Sequence, residues 1–245
     1  MYNIIYYIVK ILMNIALHYI TVATKPHCIL DKLVETTTNE NIHMHVLGKE
    51  ENRWIGWQSK GNFGIKLKSV YDFLQNREPG SISDLDIVLF TDAYDVVLCG
   101  KKDEIISRYE KLDMPIIFGA EKQCNPDPWR ADNYGSGKNG KEFPFLNSGM
   151  FIGRVWALRL CMLSYKYNDN DDDQRFWTTQ FLEHPFMIGL DYKNDLFLNT
   201  ADIDMGRVVY DPIKNRAFYN SNTGFKNPLF IHVNGPDKND LHLFL

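Results

Sequence analysis

Short apolar runs alternate with segments of helical periodicity along most of the chain. The runs are rich in β-branched and aromatic residues and end at breakers or polar turns, which is typical of buried strands. In the segments between them, apolar residues recur at helical spacing. Strands are predicted over 18–23, 41–47, 86–90 and 115–120, and helices over 28–36, 65–75 and 102–111. This alternation predicts an α/β fold with a mostly parallel central sheet and helices on both faces.

Polar residues stand where several of the predicted strands end. Such sheets bind their ligands at the carboxyl ends of the strands. The positions of interest are therefore Thr24, the turn at 91–95, Glu121 and the segment after Ile231. Residues 122–144 are rich in Pro, Gly, Asn and charge and have no apolar period, which predicts a functional or mobile loop.

Composition excludes several classes of protein. The 245 residues suit one large α/β domain, and neither a linker nor a repeat divides them, so a single domain over 1–245 is expected. A hydrophobic content of 44% excludes a disordered chain. With 27 basic and 31 acidic residues, the chain lacks the positive charge of a nucleic-acid binder. The four cysteines lack zinc-finger spacing and are expected to be mostly free, buried thiols. A single disulfide between two of them is the alternative.

The amino-terminal segment is apolar enough to raise the question of a signal or anchor. Lys10, Asn14 and His18 interrupt it, and no clear basic region precedes the apolar stretch. A spanning helix needs about 20 consecutive apolar residues. A soluble amino-terminal segment without firm membrane association is therefore favoured. The alternative is an apolar leader in residues 1–15 that is cleaved or acts as an anchor.

Two aspartates follow the strand predicted over 86–90. Asp92 and Asp95 are three residues apart, so their carboxylates converge at the ligand edge of the sheet. Divalent cations such as Mg²⁺ and Mn²⁺ prefer oxygen ligands and commonly bridge carboxylates to substrate phosphates. A turn that only caps the strand end is the structural alternative. A phosphatase nucleophile pair is disfavoured, because in phosphatases the second aspartate lies two positions after the first, whereas here it lies three positions after it.

An acidic cluster occupies Asp169, Asp171, Asp172 and Asp173. One interpretation is a solvated loop that caps the helix expected near Gln174, where acidic residues favour the helix dipole. The other is a set of carboxylates that acts on a substrate. A calcium-binding EF-hand is excluded, because its sixth and twelfth positions would both be glutamine.

His232 ends a further predicted strand, and a tight turn with Gly235 follows it. A lone histidine is more often structural, but beside an aspartate turn it becomes a candidate third metal ligand. Gly235 would let backbone amides approach a phosphate.

The segment Phe145–Gly153 contains Asn147-Ser148-Gly149 before an apolar run. It is interpreted either as a plain turn into a strand or as a polar shelf for the hydroxyl groups of a sugar. Asn147 and neighbouring backbone amides suit the second role.

Together these motifs resemble the glycosyltransferase domain of the collagen lysyl hydroxylases and, more distantly, the collagen galactosyltransferases. Each matching segment is moderately specific, and six in family order over nearly the whole chain are highly specific. The matching segments are Ile20–Thr24, Val88–Val97, Gly119–Glu121, Phe145–Gly153, Lys166–Gln174 and Ile231–Pro236. The resemblance implies the GT-A fold, which is Rossmann-like.

The resemblance also implies a metal centre. Asp92 and Asp95 correspond to the metal-binding pair and His232 to the third protein ligand, and together they would hold Mn²⁺ against the diphosphate of a UDP-sugar. The segment implied to close on that diphosphate contains Asn234, Gly235 and Lys238.

Further roles follow from the same resemblance. Val22, Thr24 and Tyr94 correspond to the uridine site, and Trp54 to a tryptophan near the nucleotide. The acidic residues of the sugar and acceptor side correspond to Glu121, Asp172 and Asp173.

The chain departs from the family pattern on the acceptor side. Where the lysyl hydroxylase domain carries a tryptophan after Phe-Cys, this chain has Gln123–Pro126. Acceptor contacts there are left open, with Trp129 as a candidate substitute.

The implied activity is a retaining transfer of glucose from UDP-glucose to galactosyl-hydroxylysine in a collagen-like protein. Transfer of galactose to hydroxylysine is the runner-up within the same class. An inactive sugar-binding or scaffolding module with the same fold is the alternative from another class. The family acts in the lumen of the endoplasmic reticulum, whereas a cytoplasmic location is expected if residues 1–15 are not a signal.

Overall fold

The computed structural model describes residues 15–56, 61–76, 78 and 82–245. The proposed leader at 1–15 therefore lies almost entirely outside the described residues. Among the residues that are described, no helix is long and apolar enough to cross a membrane. The expectation of a single domain over 1–245 stays a prediction.

Twelve strands and five α-helices make up the described part of the chain. The strands are β1 (Leu17–Val22), β2 (Met44–Leu47), β3 (Ile87–Asp92), β4 (Val96–Leu98), β5 (Ile116–Glu121), β6 (Phe145–Arg154), β7 (Ile188–Asp191), β8 (Phe197–Asn199), β9 (Val208–Asp211), β10 (Arg216–Ser221), β11 (Gly224–Lys226) and β12 (Phe230–His232). The helices are α1 (Cys28–Asn39), α2 (Gly64–Gln75), α3 (Lys102–Lys111), α4 (Val155–Cys161) and α5 (Asp173–Glu183).

A six-stranded central sheet has the order β2-β1-β3-β6-β5-β7. Five strands run in one direction, and only β6 is antiparallel, to both β3 and β5. The prediction of an α/β fold with a mostly parallel sheet is confirmed. Because β6 runs the other way, its first residues lie at the carboxyl ends of its neighbours. This places the Asn147-Ser148-Gly149 segment at the ligand edge.

Successive residues of the central strands point to opposite faces of the sheet, where different helices cover them. On one face the cluster joins Tyr19 and Leu89 to Leu33 of α1 and to Ile105 and Tyr109 of α3. The other face joins Ile20 and Phe90 to residues of three helices, Leu67 of α2, Leu158 of α4 and Trp177 of α5. The predicted helices on both faces are therefore present.

Two smaller sheets complete the fold. One has the order β4-β12-β8 and places His232 directly opposite Asn199 in a parallel pair. The other is the antiparallel meander β9-β10-β11, which the sequence analysis did not predict.

Several predicted boundaries differ from those observed. Strand β3 continues to Asp92 instead of ending at 90, because Asp92 still pairs with Val22 of β1. The strand predicted over 41–47 begins at Met44, after Asn41 has adopted a positive φ of 55°. The segment 122–144 is not wholly irregular, since 128–138 forms 3₁₀ turns. The Asn147 segment lies inside β6 and is not a turn that precedes it.

Gly64, the first residue of α2, is expected to be intolerant of a side chain. A Cβ there would overlap the backbone carbonyl of Asn168 and lie 3.0 Å from the backbone oxygen of Asp169. We predict that Gly64→Ala lowers the free energy of unfolding by about 1–3 kcal/mol, because backbone atoms cannot yield cheaply. Urea denaturation measures the change. Gly137→Ala is the control, since a Cβ there meets no atom within 4 Å, and it should stay within about 0.5 kcal/mol of wild type. Equal stability of the two variants would contradict the prediction.

Candidate active site

A cleft of about 580 Å³ opens at the carboxyl ends of β1, β3 and β5 and at the start of β6. Its lining contains all the sequence-predicted site residues except Thr24 and Trp54. These lining residues are Val22, Asp92, Tyr94, Asp95, Glu121, Asn147, Asp172, Asp173, His232, Asn234, Gly235 and Lys238. The structure thus brings together side chains from six separate parts of the chain.

Asp92, Asp95 and His232 form a compact cluster in this cleft. One ligand atom from each residue lies within 4.8 Å of the other two. His232 Nε2 is 3.3 Å from Asp95 Oδ1 and 3.8 Å from Asp92 Oδ2. Asp92 ends β3, Asp95 immediately precedes β4, and His232 ends β12, which pairs with β4. The pairing of two short strands therefore brings a distant histidine to the aspartate turn.

Two lysines flank the cluster. Lys66 Nζ of α2 lies 2.6 Å from Asp92 Oδ1, and Lys238 Nζ lies 2.6 Å from Asp95 Oδ2. Burial opposes ionisation of Asp95, but His232 and Lys238 outweigh it and hold the pKa of this carboxyl well below its usual range. Burial likewise opposes the charge on Lys66, while Asp173 and Asp92 raise its pKa above the usual value.

The donor set fits a hard divalent cation. Two carboxylates and an imidazole suit Mn²⁺ or Mg²⁺, which commonly fill their remaining positions with water and substrate phosphates. Asp92 Oδ1 is buried and, within the described part of the chain, receives no hydrogen bond of acceptable geometry, although the Lys66 charge is close. Gly149 leaves the necessary room, because a Cβ there would lie 2.9 Å from His232 Nδ1 and 3.0 Å from Asp92 Oδ2.

Tyr94 organises the turn after β1. Its hydroxyl accepts hydrogen bonds from the backbone amides of Thr24 and Lys25, each at 2.9 Å, and donates to the Lys25 carbonyl. The Trp54 ring, 53% exposed, lies edge-on with its centroid 6.0 Å from that of Tyr94. Thr24 Oγ1 is buried and has no hydrogen-bond partner among the described residues. Thr24 and Trp54 thus border the cleft through Tyr94, without lining it.

Glu121 accepts hydrogen bonds from two amide side chains. Gln174 Nε2 donates to Oε1 and Asn234 Nδ2 donates to Oε2, both at 2.9 Å. Gln174 also accepts from the Ser148 amide at 2.6 Å. Burial raises the pKa of Glu121 to about 8, although the side-chain amides of Asn147, Gln174 and Asn234 lower it. This network joins β5, β6, α5 and the segment after β12.

The acidic cluster both caps a helix and faces the cleft. Asp172 is the N-cap of α5, and its side chain accepts from the Arg175 amide at 2.9 Å. Asp173 accepts from the Ser148 hydroxyl at 2.9 Å and lies 3.3 Å from Lys66 Nζ. Burial raises the pKa of Asp172. The two interpretations of this cluster are therefore compatible, whereas Asp171 is not among the cleft-lining residues.

The comparisons with known proteins agree with this geometry. The sequence profile described as "PLOD GT domain" matches residues 13–244. The chain belongs to the PLOD glycosyltransferase domain family. The resemblance to the glycosyltransferase domain of the collagen lysyl hydroxylases is thereby confirmed.

Curated relatives of this PLOD glycosyltransferase domain are much longer than the chain. It is 32% identical over 235 residues to procollagen-lysine,2-oxoglutarate 5-dioxygenase of Drosophila melanogaster, covering 91% of this chain and 31% of the relative. The Caenorhabditis elegans multifunctional procollagen lysine hydroxylase and glycosyltransferase is 29% identical over 232 residues, with 91% and 31% covered. Human LH3, with the same multifunctional name, is 32% identical over 160 residues, with 64% and 21% covered. The chain thus spans less than a third of these relatives.

Some residues of this candidate site were not predicted from the sequence. Lys66 lies in a predicted helix with Lys68 nearby. Nothing in the sequence distinguishes the Lys66 side chain, which is 15% exposed, from that of Lys68, which is 42% exposed. Gln174 follows the acidic cluster, and the sequence predicts a helix start there but no role for its side chain in the site. Asn125 and Pro126 line the cleft, whereas Trp129, the candidate substitute on the acceptor side, is 74% exposed and does not line it.

Glu121 is expected to make stability depend on pH. Its pKa rises from 4.5 to about 8 on folding, so the folded state holds an additional proton between these values. The associated stability is fully present below the unfolded value and is lost as the pH rises through about 8. In the wild-type protein, the free energy of unfolding should fall by on the order of a few kcal/mol between about pH 5 and pH 9. We predict that this fall is absent in Glu121→Gln. Urea denaturation of both proteins across this range checks it, and parallel pH profiles would contradict it.

Proposed function

We propose that this chain is a metal-dependent, retaining glycosyltransferase that transfers glucose from UDP-glucose to galactosyl-hydroxylysine of a collagen-like protein. The observation that carries the proposal is the Asp92–Asp95–His232 cluster, which shares one cleft with a separate group of carboxylates. A diphosphate and a reacting sugar need these two environments side by side. Membership of the PLOD glycosyltransferase domain family supports the same activity.

Asp92, Asp95 and His232 would hold Mn²⁺ in this proposal. When bound, the cation neutralises charge on the UDP diphosphate and on the leaving group as it forms. Lys238 lies beside this position through its ion pair with Asp95 and supplies a second positive charge. Gly235, which has a φ of 89°, lets the backbone after β12 turn towards the diphosphate.

The nucleotide and sugar occupy opposite sides of the metal centre in this proposal. Uridine binds along Val22, Thr24 and Tyr94, where the unpartnered Thr24 hydroxyl is a ready hydrogen-bonding group. Trp54 borders the same side. The sugar hydroxyls bind Asn147 and the Glu121 network, because amides and a carboxyl group suit hydroxyl recognition.

Asp172 and Asp173 act on the chemical step in this proposal. The bond between the anomeric carbon and the diphosphate oxygen breaks, a bond to the acceptor hydroxyl oxygen forms, and the proton of that hydroxyl passes to the departing UDP. Positive charge grows on the sugar during this exchange, and nearby carboxylates stabilise it mainly in the transition state. Asp172 and Gln174 accept hydrogen bonds from the backbone amides of Arg175 and Ser148, and these bonds hold the start of α5 in place.

A UDP-release assay tests the donor and the acceptor together. UDP-glucose and UDP-galactose are each supplied with Mn²⁺, with and without a collagen acceptor that bears hydroxylysine or galactosyl-hydroxylysine. The proposal expects acceptor-dependent release from UDP-glucose with the galactosylated acceptor. Release from UDP-galactose with hydroxylysine instead would identify a galactosyltransferase, and no release under any condition would favour a sugar-binding module.

Breaking the aspartate pair is expected to abolish turnover. We predict that Asp92→Ala or Asp95→Ala lowers Mn²⁺-dependent UDP release by at least ~100-fold, more than the loss of a residue that only supports a ligand. Mn²⁺ titration of each variant should show that its affinity for Mn²⁺ falls by a similar factor. Asp132→Ala is the control, because the Asp132 side chain is 97% exposed in an ion pair with Lys138. Full activity of either cluster variant, or wild-type turnover in excess EDTA, would refute the metal role.

Neutralising the acidic pair is expected to slow chemistry without weakening nucleotide binding. We predict that Asp172→Asn or Asp173→Asn lowers kcat by roughly 10²–10³-fold while UDP affinity stays near wild type. Asparagine caps a helix about as well as aspartate, so Asp172→Asn should unfold like wild type. Asp204→Asn is the matched control, since Asp204 caps a 3₁₀ turn with a 2.9 Å bond to Gly206. Normal kcat in both cluster variants would remove the pair from the chemical step.

A further inference from the structure

The two nitrogens of the His232 ring face different surroundings. Nε2 points into the candidate metal cluster, 3.3 Å from Asp95 Oδ1. Nδ1 lies 2.9 Å from Oδ1 of Asn199, a residue for which sequence analysis assigned no role. Asn199 is fully buried at the end of β8 and stands opposite His232 in the parallel pair with β12.

A second contact fixes the orientation of the Asn199 amide group. Asn199 Nδ2 lies 2.9 Å from the backbone oxygen of Ala120. A carbonyl oxygen only accepts, so the NH₂ group must face Ala120 and the amide oxygen must face His232. That oxygen also only accepts, so Nδ1 of the imidazole must carry the hydrogen. In neutral His232 the lone pair then resides on Nε2, the nitrogen a cation would use.

The packing on both sides reserves space for this arrangement. A Cβ on Gly119 would lie 2.8 Å from Asn199 Nδ2, so the strand beside the amide must carry a glycine. The register of β5 against β6 shifts between Phe118 and Gly119, next to the carbonyl that receives the amide. Gly149 lies against the other side, where a Cβ would collide with the His232 ring. Two glycines from different strands thus border the Asn199–His232 pair.

We propose that Asn199 is a positioning residue of the candidate metal centre, which holds His232 as the Nδ1–H tautomer and so presents Nε2 to a divalent cation. Asn199 touches neither substrate nor cation. Its neutral amide supplies the acceptor without adding another negative charge to a cleft already rich in carboxylates. The cation part of this proposal rests on the proposed function, whereas the tautomer is a property of the metal-free protein.

Two substitutions separate positioning from a purely structural role. Asn199→Leu removes both the oxygen that faces His232 and the donor to Ala120. Asn199→Asp keeps an oxygen facing Nδ1, but it replaces the NH₂ group that donates to Ala120 by a second oxygen and adds a negative charge. If Asn199 served only to tie β8 to Ala120, the two variants would behave alike. If it sets the tautomer, the aspartate variant rescues and the leucine variant does not.

Asn194→Asp is the matched control. Asn194 is also buried, and its Nδ2 donates to the Phe197 carbonyl at 3.1 Å. The substitution therefore removes a comparable amide-to-carbonyl bond in the turn before β8. It should leave the His232 tautomer unchanged. Its effect on stability and Mn²⁺ affinity shows what the loss of one such hydrogen bond does by itself.

The tautomer is measured by nitrogen NMR of the metal-free protein, labelled with ¹⁵N-histidine, at about pH 8, where an ordinary imidazole is neutral. The seven histidines require assignment of the His232 signals by comparison with His232→Ala. We expect the hydrogen on Nδ1 in wild type, Asn199→Asp and Asn194→Asp, and a shift towards Nε2–H in Asn199→Leu. A wild-type ring with no hydrogen on Nδ1, or an Asn199→Leu ring that keeps its hydrogen there as in wild type, overturns the proposal.

Mn²⁺ titration followed by electron paramagnetic resonance supplies the second measurement. Asn199→Leu should bind Mn²⁺ about 10- to 100-fold more weakly, the usual loss when a supporting partner of a metal-bound histidine is removed, while Asn199→Asp should keep near-normal affinity. Equal weakening in the two variants overturns the positioning role. Should Asn199→Leu fail to fold, the wild-type tautomer and the comparison of Asn199→Asp with Asn194→Asp decide. Wild type with Nδ1–H but no Mn²⁺ binding contradicts the proposed function and leaves the tautomer assignment standing.

Discussion

Mutual repulsion of carboxylates at one end of the central sheet is the constraint on which the rest of this site depends. Five of them line the same cleft, namely Asp92, Asp95, Glu121, Asp172 and Asp173. Lys66 lies between Asp92 and Asp173, and Lys238 pairs with Asp95. Burial raises the pKa of Glu121 to about 8 and so favours its neutral form. The cleft is thus arranged to receive further positive charge, which suits a cation and a cationic sugar.

The antiparallel strand β6 brings uncharged residues to the same edge of the sheet as these carboxylates. In a wholly parallel sheet, the beginning of a strand would lie at the opposite edge from the ligand. Because β6 runs antiparallel to β3 and β5, its first half lies at the ligand edge, and Asn147 and Gly149 of that half line the cleft. Glycine at 149 allows the His232 ring to approach Asp92. One reversed strand therefore supplies both a polar surface and the space for the Asp92–Asp95–His232 cluster.

A chain of amide side chains supports the charged groups from behind. Gln174 and Asn234 hold the two oxygens of Glu121, and Asn199 joins His232 to the backbone of β5. Amides can donate and accept without adding charge, which matters where every further carboxylate would raise the repulsion. Such support is expected around sites that must hold several ligands in fixed positions.

The sequence by itself determined the α/β class, the positions of four strands of the central sheet and of most helices, and the residues at the strand ends. These follow from local periodicity and composition; helix α3 was predicted over its observed bounds of 102–111. Tertiary structure alone decided the reversal of β6, the meander at 208–226, the position of Lys66 between two aspartates and the burial of Asn199. Strand direction depends on pairing between distant segments. A lysine or asparagine looks the same in sequence whether it faces water or a buried partner, because only the packing of other strands creates its surroundings.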